Sequence, residues 1–144
     1  MIEVWRRVWR EGAAPRLSID ALEALRRALA EDDPRLIQHA TTNPPPLQCV
    51  QDWPCEGACL LAFAVTADLG GLAPAQGCAS VAAVEEAFAR LCFEIDEAMG
   101  EPAACRRLLN FWDDASREAA RRELLIEVEA TLDRRRGAAG GNKP

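Results

Sequence analysis

The chain has no tyrosine, a single histidine (His39), a single lysine (Lys143) and only three serines (Ser18, Ser80 and Ser116) among its 144 residues. Each scarcity removes a class of chemistry. One lysine, placed in a glycine-rich C-terminal stretch, excludes Schiff-base catalysis, a Walker-type phosphate loop and a kinase-like lysine together. One histidine cannot build the paired Glu-x-x-His ligation of di-iron bundles or the two-histidine helix of a metalloprotease. The three serines stand where helices want N-caps, and none lies in a nucleophile-elbow pattern. Glycine pairs occur at Gly70–Gly71 and Gly140–Gly141, yet no G-x-G-x-x-G follows a strand, so dinucleotide binding has no support.

Positive charge and long apolar runs are also short. The formal net charge is −6 with a sequence pI near 4.9, so the basic footprint demanded by phosphate backbones is missing and nucleic acid is not an expected partner. An acidic surface favours solubility, and any partner chosen by charge would be a basic protein. The longest apolar run, Ala58 to Ala67, is about half of the ~20 residues that a membrane-spanning helix needs. The N-terminal MIEVWRRVWREG has no uninterrupted apolar core of a signal peptide. Membrane association is therefore not expected, and the protein reads as cytoplasmic. Six cysteines in 144 residues fall below the ~8–10% of a disulfide scaffold, so reduced thiols are expected.

What is present is helical periodicity. Apolar residues make up 49% of the chain and charged residues 28%, a globular balance, and apolar positions recur at helical spacing while no stretch alternates cleanly as a strand would. The fold class expected is all-α: a single-domain bundle of six or seven helices over residues 1–136, with residues 137–144 as a mobile tail. Ile2, Trp5, Val8 and Trp9 form the stripe of a first helix that Gly12 and Pro15 should stop. Ser18 caps a second helix carrying Leu22, Leu25 and Leu29. Asp33–Pro34 looks like a cap and first-position pair opening a short third helix to about Ala40. After a loop, Pro54 should open a fourth, central helix running to Leu69 and ended by Gly70–Gly71. Ser80 caps a fifth helix, terminated by Gly100. Pro102 opens a sixth, and Ser116 caps a seventh that Gly137 ends. The segments Ser18–Leu29 and Ser80–Leu91 share a faint pattern compatible with a duplicated helical hairpin.

The acidic residues Glu94, Asp96, Glu97 and Glu101, and then Asp113 and Asp114, have no calcium-loop spacing and read as solvated helix faces. The cysteines carry more chemistry. His39, Cys49, Cys55 and Cys59 are spaced H-x9-C-x5-C-x3-C, the ligand types of a tetrahedral zinc site. The gaps resemble a CCCH zinc finger, but the histidine comes first rather than last and no basic or aromatic array accompanies it, so RNA binding is not implied. On a helix opened by Pro54, Cys55 and Cys59 would share a face, and the helix N-terminus would lower the pKa of Cys55. Zinc or copper(I) would suit such a pair. The competing reading makes the cysteines small core residues, and Cys78, Cys92 and Cys105 fit that description better still.

Three functions follow. The first is a non-enzymatic protein without cofactor that acts through protein contacts. Its surface would be Trp5 and Trp9 on the arginine-rich first helix, which the sequence also allows to be core, together with the stiff Pro44–Pro45–Pro46 loop, otherwise a spacer. The second is a soft-metal protein using His39, Cys49, Cys55 and Cys59, and the third is a cysteine-dependent redox protein.

Overall fold

The structure, a computed structural model, describes residues 1–43 and 53–141. Among them it is all-α with no strands, and six α-helices share one core. Helix α1 (Val4–Val8) runs without a break into a π-turn (Trp9–Ala13) and a short 3-10 turn (Ala14–Arg16). Helix α2 spans Ile19–Glu31, α3 Leu60–Thr66, α4 Val81–Met99, α5 Ala104–Asp114 and α6 Arg117–Gly141.

The serine caps form as their sequence context dictates. The hydroxyl oxygens of Ser18, Ser80 and Ser116 accept the backbone N–H of Ala21, Ala83 and Ala119, three residues on in each case; each satisfies a donor that a helix start leaves orphaned. Gly100 takes the left-handed conformation (φ 68°) that ends α4, as a helix C-terminus favours. Leu22, Leu25 and Leu29 are fully buried on α2, and Ala120, Leu124, Val128 and Leu132 form the buried stripe of α6 against which α2 packs.

Several boundaries differ from the sequence expectation. Gly12 does not stop the first helix. It lies inside the π-turn, buried against α4, and a Cβ added there would meet Ile95 Cγ2 at 2.8 Å, so its missing side chain permits a close approach. Gly137 does not end the last helix, which continues to Gly141; a glycine within a helix costs ~1 kcal/mol but does not forbid it. Residues 142–144 lie outside the described residues.

Two predicted helical starts are not helical. Asp33 turns its carboxylate onto the backbone N–H of its own neighbour Arg35 (2.9 Å) and onto that residue's guanidinium (2.7 Å), the local competition that draws aspartate into turns. No helix follows through Ala40, so the segment after α2 has no counterpart of the helix that follows α4. Pro54 likewise opens no helix: it forms an isolated bridge with Ser80. The segment Trp53–Cys59 is extended and pinned by neighbouring loops. Cys55 N–H donates to Ala79 C=O (2.9 Å), Ala73 N–H to Cys55 C=O (2.9 Å), Ala58 N–H to Arg35 C=O (2.8 Å) and Cys59 N–H to Thr41 C=O (2.9 Å). The α3 helix begins only at Leu60. The run from Cys55 is apolar because it is enclosed, not because it is helical.

Helix α1 is held from two sides. Trp5 stacks on Phe111 of α5 with ring centroids 3.9 Å apart and planes 5° from parallel, and Trp9 donates its indole N–H to Thr131 Oγ1 of α6 at 3.1 Å. Glu127 of α6, only 2% exposed, receives Arg6 at 2.8 Å and Arg10 at 2.7 Å. Burial acts to raise the Glu127 pKa, but the hydrogen bonds from Arg10 and Arg6 outweigh it and hold the carboxyl below its usual range.

Candidate functional site

The residues proposed from sequence as ligands do not assemble among the described residues. Cys55 is fully buried in the extended segment, where its thiol donates to Gly57 C=O at 3.4 Å. With no helix starting at Pro54, Cys55 does not sit in a helix's first turn, and burial raises its pKa. Cys59 occupies the N-cap position of α3, and burial pushes its thiol up to about 12 despite the backbone N–H groups of Ala62 and Leu61. His39 is exposed, with a left-handed backbone (φ 72°), and its N–H donates to Asp113 Oδ1 at 2.8 Å. No group of three or more His, Cys, Asp or Glu side chains among the described residues is placed to hold a metal ion. Cys49 and Pro44–Pro46 lie outside the described residues.

Trp5 (6% exposed) and Trp9 (0%) are core residues. Their stacking and hydrogen bond, given above, lock the first helix onto the domain, and neither indole is presented to a partner.

The structure brings together a different pair. Helices α4 and α5 pack as a hairpin about the Gly100 turn, and this sets Cys92, midway along α4, against Cys105 in the first turn of α5 with the two Sγ atoms 2.9 Å apart. Both cysteines are free thiols. Their separation exceeds the ~2.05 Å of a disulfide by less than one ångström. The hairpin is fastened at the same place: Asp96, one turn beyond Cys92, accepts the Cys105 backbone N–H at 2.8 Å. It thereby satisfies a helix-start donor that the N-cap residue Ala103 leaves without a side-chain partner.

The two thiols are unequal. Cys105 is 3% exposed and acts as hydrogen donor, whereas Cys92 is half-buried. The hydrogen bond from Cys105 lowers the Cys92 pKa against the opposing effects of burial and the Asp96 carboxylate, and Arg106 acts in the same lowering direction. Cys105 is driven the other way, first by that same bond to Cys92 and then by burial. The hydrogen bond from the deeper thiol thus favours ionisation of the outer sulfur over that of the inner one.

Cys92 and Cys105 both line a pocket of about 390 Å³. Phe88 and Leu109 form its apolar wall, while Thr41, Asp96, Arg106 and Asp113 supply polar groups. Asp113 is fixed there by the His39 N–H, and its end of α5 is clamped by Gln38, whose side-chain amide donates to Trp112 C=O (2.6 Å) and Ala115 C=O (3.1 Å). A half-buried thiol whose ionisation is favoured, a second thiol in contact with it and an open pocket beside both make an arrangement suited to attack on a sulfur electrophile and to internal resolution of the product.

The sequence showed Cys92 and Cys105 only as small core residues. The signal available in it was their position on either side of a predicted helix-terminating glycine, from which an antiparallel fold-back follows.

No protein-family model matches the chain, and no curated protein or solved structure is similar to it. No helix of the described residues is long and apolar enough to cross a membrane.

Proposed function

We propose that the protein is a thiol–disulfide exchange protein that cycles Cys92 and Cys105 between dithiol and disulfide. The observation that carries this is the 2.9 Å approach of the two Sγ atoms at the edge of an open pocket. In the forward direction the Cys92 thiolate attacks one sulfur of a disulfide RSSR. The Cys92–SR bond forms, the S–S bond breaks and one RS⁻ departs. Cys105 then gives up its proton and attacks Cys92 Sγ, closing the Cys92–Cys105 disulfide and expelling the second RS⁻; two protons and two electrons have passed from the protein to two RSH.

The resting dithiol suits a reducing compartment such as the cytoplasm, where disulfides that do form are usually transient and catalytic or redox-sensing. The protein-contact reading loses Trp5 and Trp9, which are buried, while its Pro44–Pro46 part lies outside the described residues. The zinc or copper reading lacks a ligand set among the described residues.

The test is to treat the folded, reduced protein with a small disulfide, quench with an alkylating agent and map the peptides. The wild type should yield a Cys92–Cys105 linked peptide. Cys105→Ala should trap a mixed disulfide on Cys92, and Cys92→Ala should leave Cys105 unmodified. Recovery of both residues as free thiols from the folded wild type, after an exposure that oxidises a small-molecule thiol, overturns the proposal.

A further inference from the structure

The pocket beside the two sulfurs is built for charge as well as for reaction. Its volume, about 390 Å³, lies at the lower end of the ~300–1,000 Å³ typical of small-molecule sites, which favours a single small disulfide over an inserted protein loop. Three charged side chains line it: Asp96, Arg106 and Asp113. The two carboxylates are held in place by backbone donors, Asp96 by Cys105 N–H and Asp113 by His39 N–H, each at 2.8 Å. Each bond uses one carboxylate oxygen and leaves acceptor capacity on the group. Arg106 is exposed and forms no ion pair among the described residues; its planar fork is the group best matched to an incoming carboxylate.

From this juxtaposition we infer that the disulfide accepted at Cys92 is a low-molecular-weight one with amino-acid ends, its carboxylate received by Arg106 and its ammonium group by Asp113 and Asp96. The inference rests on the exchange reading given above. A dianionic disulfide would approach two carboxylates with only one guanidinium to offset them. A dicationic one would leave Arg106 facing a like charge, and a neutral one would leave all three groups unused. With the amino-acid disulfide as oxidant the balance is the one written above: Cys92–Cys105 dithiol plus RSSR gives Cys92–Cys105 disulfide plus two amino-acid thiols.

Four probes separate these cases: cystine, cystamine, 3,3′-dithiodipropionate and bis(2-hydroxyethyl) disulfide. Each rate of Cys92–Cys105 oxidation is divided by the rate at which the same compound oxidises a neutral small-molecule thiol at the same pH, which removes intrinsic reactivity. Cystine should exceed the neutral disulfide by roughly tenfold, about the worth of one charge-assisted contact, and the dianion should be slowest. The cystine-to-neutral ratio should fall toward one in Arg106→Ala. It should fall also in Asp113→Asn, which keeps an oxygen acceptor for the His39 N–H. Equal normalised rates, cystamine as the fastest probe, or a ratio unmoved by both substitutions overturns the specificity inference while leaving exchange intact. Failure of all four disulfides to oxidise the pair overturns exchange itself.

Discussion

Asp96 Oδ1 on α4 accepts the backbone N–H of Cys105 at 2.8 Å, so one acidic side chain both starts α5 and sets the register that places the Cys105 thiol against Cys92. The same carboxylate opposes ionisation of Cys92. Its structural and electrostatic effects are therefore separable. Asp96→Asn keeps an oxygen acceptor and removes the charge, so Cys92 should alkylate at a lower pH than in the wild type. Asp96→Ala also removes the cap and should lower stability by about 1 kcal/mol, the usual worth of a helix-start acceptor. Site-resolved alkylation against pH, beside denaturant unfolding, checks both.

Cys105→Ala takes away the hydrogen donor that depresses the Cys92 pKa. The alkylation profile of Cys92, followed by peptide mapping, should move to higher pH. An unchanged profile would show that the contact between the two sulfurs does not set the reactivity of the outer one.

Glu127 is a buried carboxylate held by two arginines of the first helix. Glu127→Ala removes the buried partner of Arg6, which keeps Glu123 at 2.9 Å and Glu3 at 3.3 Å, and should cost about 1–3 kcal/mol, the range for losing a hydrogen bond to a charged group. The sign of the pH effect follows from its depressed folded pKa. The unfolded carboxyl titrates near ~4.3, so the ion pair's contribution is complete above that pH and is lost as the pH falls through the lower folded value. Below about pH 4.3 the stability advantage of the wild type over Glu127→Gln should therefore shrink, which urea unfolding at a series of pH values measures.

Gly12→Ala should be destabilising although alanine is the better helix former. The added Cβ would sit 2.8 Å from Ile95 Cγ2 and 3.4 Å from Met99 Cγ, and overpacking of this kind costs ~1–3 kcal/mol. Relief by the double variant Gly12→Ala, Ile95→Val, which is read in the same unfolding assay, would not follow, because valine retains the clashing methyl. Gly12→Ala with Ile95→Ala removes it, and the two costs should then be less than additive.

The helix-bundle class and several boundaries were legible because they rest on local chemistry: Ser18, Ser80 and Ser116 cap the helices they precede, and Gly100 takes the left-handed turn. Asp33–Pro34 misleads because an aspartate that can cap a helix can equally bond its own neighbour, and Arg35 offers both a backbone and a guanidinium donor. The stretch Cys55–Cys59, read as continuous with the helix that does form over Leu60–Thr66, misleads for a different reason. A largely buried segment is apolar whether extended or helical, and periodicity does not distinguish the two. That error placed Cys55 and Cys59 on a common helical face. The Cys92–Cys105 pair was hidden because it is tertiary, formed only when α4 and α5 fold back about Gly100, and each cysteine alone looks like a small apolar residue.

The most direct test of the account is the equilibrium state of the Cys92 and Cys105 thiols in the folded protein across a series of reduced-to-oxidised dithiothreitol ratios, with helical content followed in parallel. A reversible two-electron transition that yields a Cys92–Cys105 linked peptide, with the helices retained throughout, is the result predicted. Free thiols at both positions across the whole series, or linkage only after the protein has unfolded, would contradict it.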